Sequence, residues 1–307
     1  MVFLLVTAAT FGILLSRTLE MNGGAWATVW HAMGLVLRVT HYGHIWVWRV
    51  PALALMWLAW GWARQHPEHA LAGWLMAIAL AAIVLTRSNT GHPADHGDFQ
   101  FAVWVDWAHM LAAGTWVGSL FGMTWVVFPR LRLQGEPLST VAAIFQRLST
   151  LSGAALAVVL AAGIYNAIGQ LGSFAALWTS RYGINLDVKI TIVLSMIAIG
   201  AHNRYIKLPR LLECANTPAR ASFAPRWLHH RASNGSNVVD SRHVLASCIR
   251  AVMLESLLGI AVIGAAAYLI HNMPPADMPA MHMLQTADPM PGRTVTAVKL
   301  SPAPHGV

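Results

Sequence analysis

The chain has 307 residues, of which 56% are hydrophobic and only 10% charged, whereas about a quarter of a soluble protein's residues carry charge. That excludes a soluble globular domain and points to an integral membrane protein. The formal charge of +8 is carried mainly by loops between apolar segments, with no basic stripe interleaved with aromatics, so it orients the chain in a lipid bilayer and implies no nucleic acid.

Apolar runs occupy residues 2–15, 45–62, 71–86, 101–128, 151–168, 190–201 and 244–270. They lack the alternation in segments of about ten residues that marks a transmembrane β-barrel. The fold class expected is therefore all-α, a polytopic membrane helix bundle of about seven transmembrane helices with an extracytoplasmic interfacial helix. Residues 1–272 form the helical domain and 273–307 an extracytoplasmic, Met/Pro-rich flexible tail. The first run spans only about 21 Å as a helix and lacks a basic n-region, so it reads as a first spanning helix, with a cleaved signal peptide as the alternative. Arg130, Arg132 and Arg147 lie in one loop, and Arg204, Lys207, Arg210, Arg220, Arg226, Arg231 and Arg242 in another. The positive-inside rule makes both loops cytoplasmic, with the N-terminus inside and the C-terminus outside.

In chain order, residues 17–44 place Trp26, Trp30, Met33 and Leu37 at helical spacing, a segment lying along the interface beside His31, His41 and His44. Arg49 follows just inside the second helix at a depth similar to Asp106; it either pairs with Asp106 or snorkels to the surface. A short inside turn, residues 64–69, leads to the third helix, which ends in TGH at 90–92. His92, Asp95, His96 and Asp98 then precede the long apolar run that carries Asp106 and His109. A carboxylate in a membrane helix costs roughly 2.5–3.5 kcal/mol, so it faces a bundle interior and often marks an ion pathway. Imidazoles and carboxylates gathered at one membrane face suit copper or zinc, although Asp98 equally reads as an N-cap. Asp106 lies one turn before His109 and could orient its ring as a carboxylate orients a ligating histidine.

Gly114 to Ser119 offer small residues for helix contact. Lys189, at the start of the sixth spanning helix, is an anchor or a counter-charge for Asp106 or Asp187. At that helix's far end stand His202, Asn203 and Arg204, and Glu255 on the last helix is tolerated if Arg204 or His202 pairs with it. Cys214 and Cys248 form no CxxC, and no GxxxxGK[ST] loop exists, so ATP-driven pumping has no residues to carry it. The tail brings Met278, Met281, His282 and Met283 together among prolines; thioether sulfur selects Cu(I), and no core there needs filling.

Taken together, HYGHIWVWRV at 41–50, TGH at 90–92, DWAHMLAAGTWVGSLF at 106–121, AGIYNA at 162–167, RYGINLDVK at 181–189, IGAHNR at 199–204 and Glu255 resemble the copper resistance protein D (CopD) family of bacterial inner-membrane proteins. The resemblance implies a multi-helix inner-membrane protein that handles copper, as Cu(I) or Cu(II), often beside an extracytoplasmic copper-binding β-sandwich partner of the CopC kind. The expected function is copper homeostasis without enzymatic chemistry. His92, His96 and the Met-rich tail capture the ion, Asp106 and His109 line its way in, and His202 and Glu255 stand near its exit. Two rivals remain: a haem electron carrier of the cytochrome b561 kind, which needs histidine pairs facing across helices, and a membrane scaffold for copper proteins that transports nothing.

Overall fold

A computed structural model describes residues 2–91, 94, 97–171, 173–215 and 240–269. Every regular element among them is helical. α1 spans Val2–Met21, α2 Val29–Val39, α3 His41–Val47, α4 Arg49–Gln65 and α5 Ala70–Ser88. They are followed by α6 Phe101–Gly122, α7 Phe128–Gln134, α8 Leu138–Leu171, α9 Ala176–Thr179, α10 Arg181–His202, α11 Leu208–Cys214 and α12 Asp240–Leu269. The chain is an all-α polytopic membrane bundle, and among the described residues six helical stretches are long and apolar enough to cross a bilayer by length and composition. α4, expected as a further span, has 17 residues, about 26 Å at 1.5 Å per residue.

The first helix is longer than its apolar run. α1 has 20 residues because Arg17 and Glu20 pair across one turn at 2.8 Å and the Thr18 hydroxyl donates to the Leu14 carbonyl, so the helix continues beyond its greasy part. α8 likewise begins at Leu138 rather than near 151, its first turns carrying Gln146 and Arg147 as a helix that outlasts the hydrocarbon.

Two of the long helices share one construction. Phe101–Gln134 and Arg181–Cys214 each consist of a 22-residue α-helix, a five-residue π segment (Met123–Val127 or Asn203–Lys207) and a seven-residue α-helix with a proline, Pro129 or Pro209, at its start. A proline inside a helix lacks an N–H and clashes with the carbonyl four residues back, and the widened π turn absorbs both defects.

A second duplication lies at the opposite end of the bundle. Thr40 and Ser180, 140 positions apart, begin the stretches THYGHIWVWR and SRYGINLDVK. In each, the hydroxyl accepts from the glycine N–H three residues on, at 3.0 and 2.9 Å, and donates to a carbonyl of the preceding helix at 2.6 Å, from Val36 and Ala176 respectively. In each the glycine is packed so closely that a Cβ on Gly43 would stand 2.1 Å from the Val36 oxygen, and one on Gly183 2.1 Å from the Ala176 oxygen. Only glycine permits that corner. Both stretches deliver a cation nine residues after the cap, Arg49 on α4 and Lys189 on α10.

The main core gathers Trp116, Leu120, Phe128, Phe145, Met196 and Val252 from α6 to α12, with Phe128 and Phe145 stacked at 4.8 Å. A smaller one around Leu53, Met56 and Ala79 joins α1, α4 and α5. α6 lies between the two, packed on α8 and α12 on one side and on α5 on the other.

Candidate functional site

α6 presents Asp106, His109 and Met110 at i, i+3 and i+4, one face of the helix, near the end of the bundle where Phe101 starts. All three are half-buried. The neighbouring helices take them in different directions. Ser88, the last residue of α5 and fully buried, donates its hydroxyl to Asp106 Oδ2 at 2.7 Å and lies 3.9 Å from Met110 Sδ. His109 Nδ1 is 3.1 Å from the Val159 carbonyl of α8. A carbonyl only accepts, so this ring nitrogen carries the hydrogen and Nε2 keeps its lone pair. Gly163 makes room for the ring: a Cβ there would come within 3.2 Å of His109 Cε1.

The expected ring-orienting contact between Asp106 and His109 is not made; the two form no ion pair within 4 Å. Their side chains are drawn to helices on opposite flanks of α6, and the Val159 carbonyl orients the imidazole instead. A backbone carbonyl serves this purpose for ligating histidines as well as a carboxylate does. Lys189 stands within electrostatic range of both Asp106 and His109 but forms no ion pair with Asp106 within 4 Å. Met110 and Ser88 escaped the sequence reading; the spacing Asp106, His109, Met110 was the available signal.

Arg49 departs from both of its expected roles. It is 2% exposed, so it does not snorkel, and it forms no ion pair with Asp106. Its Nε donates to Thr86 Oγ1 at 2.8 Å, and Thr86 passes its own hydrogen to the Ile83 carbonyl at 2.7 Å. Thr86 and Ser88 are two residues apart on α5 and therefore face different sides, which separates Arg49 from Asp106.

His92, Asp95 and His96 lie outside the described residues, as do Met278, Met281, His282 and Met283 and the whole of the tail from 270 onward. Asp98 does not cap α6, whose N-cap is Gln100 without a side-chain bond; it pairs with His41 at 3.0 Å and ties the loop to α3.

At the other end, a cavity of about 520 Å³ lies between α6, α8, α10 and α12, bordered by Trp116, Ser152, Met196, Asn203, Arg204 and Glu255. Glu255 is 4% exposed, yet neither expected partner reaches it. Arg204 Nη1 donates instead to the Ser149 carbonyl at 2.7 Å, and His202 is exposed in a separate groove beside Lys207 and Ser247. Arg204 lies inside the π segment that starts at Asn203, and its side chain is held by α8 through the Ser149 carbonyl. Glu255 Oε1, Ser152 Oγ, Asn203 Oδ1 and Arg204 Nε are left buried without hydrogen-bond partners around one cavity, a polar chamber in an apolar wall.

One further cluster was not foreseen. In the turn between α4 and α5, ligand atoms of His66, Glu68 and His69 lie within 4.8 Å of one another, the one such group of three among the described residues. All three are exposed, and the Trp62 ring stacks on His69 at 5.8 Å.

Comparison with known proteins places these sites in a family frame. Over 202 residues, 63% of this chain and 66% of the relative, the sequence is 28% identical to Inner membrane protein YebZ of Escherichia coli. Over 190 residues, 60% of this chain and 35% of the relative, it is 25% identical to Copper transport protein CutJ of Bacillus subtilis. The chain thus spans less than two thirds of the length of either curated relative. No solved structure matches. Residues 142–269, which hold Lys189, His202, Arg204 and Glu255 but not Asp106 or His109, match the family described as Copper resistance protein D, so the resemblance read from the sequence is shown, and this multi-pass helix bundle carries that family's match from α8 to α12.

Proposed function

We propose that the protein is a copper-homeostasis protein of the bacterial inner membrane that accepts copper at its extracytoplasmic side and moves it into or across the bilayer without ATP. The family match over 142–269 and the likeness to a copper transport protein support the cargo. The observation that carries the mechanism is the state of His109: with Nδ1 committed to the Val159 carbonyl, Nε2 keeps its lone pair for a metal, and Asp106 and Met110 lie three residues before and one residue after it on α6. Imidazole with thioether suits copper, and the carboxylate supplies charge to a cation leaving water. Lys189 balances Asp106 when no ion is present, so that an arriving cation competes with an ammonium rather than with an empty site.

The ends follow from the basic residues. Arg130, Arg132, Arg204, Lys207 and Arg210 gather at the end opposite Phe101, which on the positive-inside rule is cytoplasmic. The N-terminus is then cytoplasmic, the C-terminus periplasmic, and Asp106, His109 and Met110 lie in the outer half. His92, His96, Met278, Met281, His282 and Met283 deliver copper to them, and a periplasmic donor of the CopC kind supplies it. The chamber bordered by Glu255 and the exposed His66, Glu68 and His69 offer oxygen and imidazole ligands on the way out. No bond is made or broken, so the role is binding and transfer rather than enzymatic. Haem ligation is the weaker reading, because it needs histidines facing each other across helices, and His202 is exposed at the far end of α10 from His109.

The test measures membrane abundance and cellular copper together for His109→Asn, Met110→Leu and a control, His31→Asn, at an exposed interfacial position. The two site variants should reach the membrane at wild-type levels and lower copper accumulation several-fold, with the control unchanged. Normal abundance with unchanged copper in both site variants would sink the pathway. A Soret band in the purified protein would instead favour haem.

A further inference from the structure

The first of the two duplicated stretches contains an unanswered set of hydrogen-bond donors. Tyr42, Trp46 and Arg49 follow at i, i+4 and i+7 along α3 and the start of α4, which are joined through Trp48 in a helical conformation (φ −64°, ψ −13°), so they share a face. Trp46 and Arg49 are each 2% exposed. Tyr42 Oη, Trp46 Nε1 and Arg49 Nη2 are all buried without a hydrogen-bond partner among the described residues. An indole N–H and a guanidinium N–H only donate, so the missing group must be an acceptor.

Its charge is fixed by the surroundings. Arg17 on α1 and Arg87 on α5 act electrostatically on Tyr42 along with Arg49, and Glu20, the one acidic group in that set, is already held by Arg17 at 2.8 Å. Among the described residues, the neutral Thr86 hydroxyl is the one hydrogen-bond partner of Arg49. A buried guanidinium with no counter-charge is among the costliest arrangements a protein can hold.

The twin stretch shows what a completed version looks like. Tyr182 donates to Gln170, the counterpart of Trp46 is the apolar Leu186, and the cation Lys189 lies within electrostatic range of the carboxylate of Asp106. The tyrosine hydroxyl answered from within the protein in the second stretch is left open, among the described residues, in the first. The exposed Trp26, Trp30 and Trp48 nearby are the residue type that lies at headgroup level.

We infer that Tyr42, Trp46 and Arg49 form a binding site for an anionic phosphate group at the membrane interface, supplied by a phospholipid headgroup or by free phosphate. The indole and guanidinium donate to its oxygens, and the half-exposed Tyr42 ring turns aside to admit it. The site is separate from the face of α6 that carries Asp106, His109 and Met110, and stands whether or not that face handles copper.

Native mass spectrometry of the full chain, purified and then offered phosphatidylglycerol or phosphatidylcholine, tests this directly. Wild type should retain one phosphatidylglycerol, and Arg49→Met should weaken retention about ten-fold, while Lys189→Met, in the twin stretch, should leave it unchanged. Trp46→Phe and Arg49→Lys, which keep the packing or the charge, should weaken it a few-fold and serve if Arg49→Met does not fold. In a second arm, millimolar inorganic phosphate is added to delipidated protein. Thermal protection by phosphate that Arg49→Lys weakens, without lipid selectivity, assigns the site to the free anion. Equal lipid retention and equal phosphate response in wild type, Trp46→Phe and Arg49→Lys overturn the site.

Discussion

The stretches beginning at Thr40 and Ser180 are built alike and finished differently. Both use a hydroxyl cap, a tyrosine and a glycine to fold a helix start tightly against the preceding helix, and both then place a cation inside the bundle. Lys189 is set against Asp106, whereas Arg49 is set against a threonine. The corner is thus a reusable piece of backbone geometry, and what its cation does depends on which helix lies opposite. Lys189 lies within electrostatic range of Asp106 and His109 on α6; Arg49 is bonded to Thr86 on α5.

Three experiments strain that comparison, in descending order of effect. The shared corner should be intolerant in both copies. Gly43→Ala and Gly183→Ala each force a methyl to within 2.1 Å of a backbone oxygen, which cannot yield as a side chain tip can. Overpacking of this kind costs about 1–3 kcal/mol or more, and folded yield by size exclusion in detergent should fall sharply for both. If Gly43→Ala behaves as wild type while Gly183→Ala fails, the two corners are not equivalent.

The second experiment separates the cations. A double-mutant cycle of Lys189→Met with Asp106→Asn, read by thermal unfolding in detergent, should return a coupling of about 1 kcal/mol or more, because each change strands the other's charge. The same cycle with Arg49→Met should give a coupling near zero. Comparable couplings in the two cycles would mean that Arg49 and Lys189 serve Asp106 jointly, and the division between the two halves would be lost.

The smallest effect belongs to the caps. Thr40→Ala and Ser180→Ala each remove an acceptor for a glycine N–H, at 3.0 and 2.9 Å, and should each destabilise by about 1 kcal/mol. A loss confined to one of them would show that the other helix start is held by packing alone.

Composition and apolar runs by themselves determined that this chain is a helical membrane bundle, because a bilayer leaves backbone hydrogen bonds almost no other way to be satisfied. They also singled out Asp106, His109, Lys189 and Glu255, since an ionisable group within an apolar run is conspicuous in one dimension. The ends of helices were less legible: Arg17, Glu20, Gln146 and Arg147 look like loop residues until i, i+3 pairing and helices outlasting the hydrocarbon are seen. Partnerships were decided by tertiary structure alone. Arg49 and Asp106 sit at similar depth in the sequence reading, but Thr86 and Ser88 on α5 point to opposite sides and keep them apart. Arg204 and Glu255 come to border one cavity yet do not pair, because Arg204, inside the π segment Asn203–Lys207, donates to the Ser149 carbonyl instead. The sequence orders residues along a helix, whereas the phase of that helix against its neighbours is set by packing, and it is the phase that chooses each charge's partner.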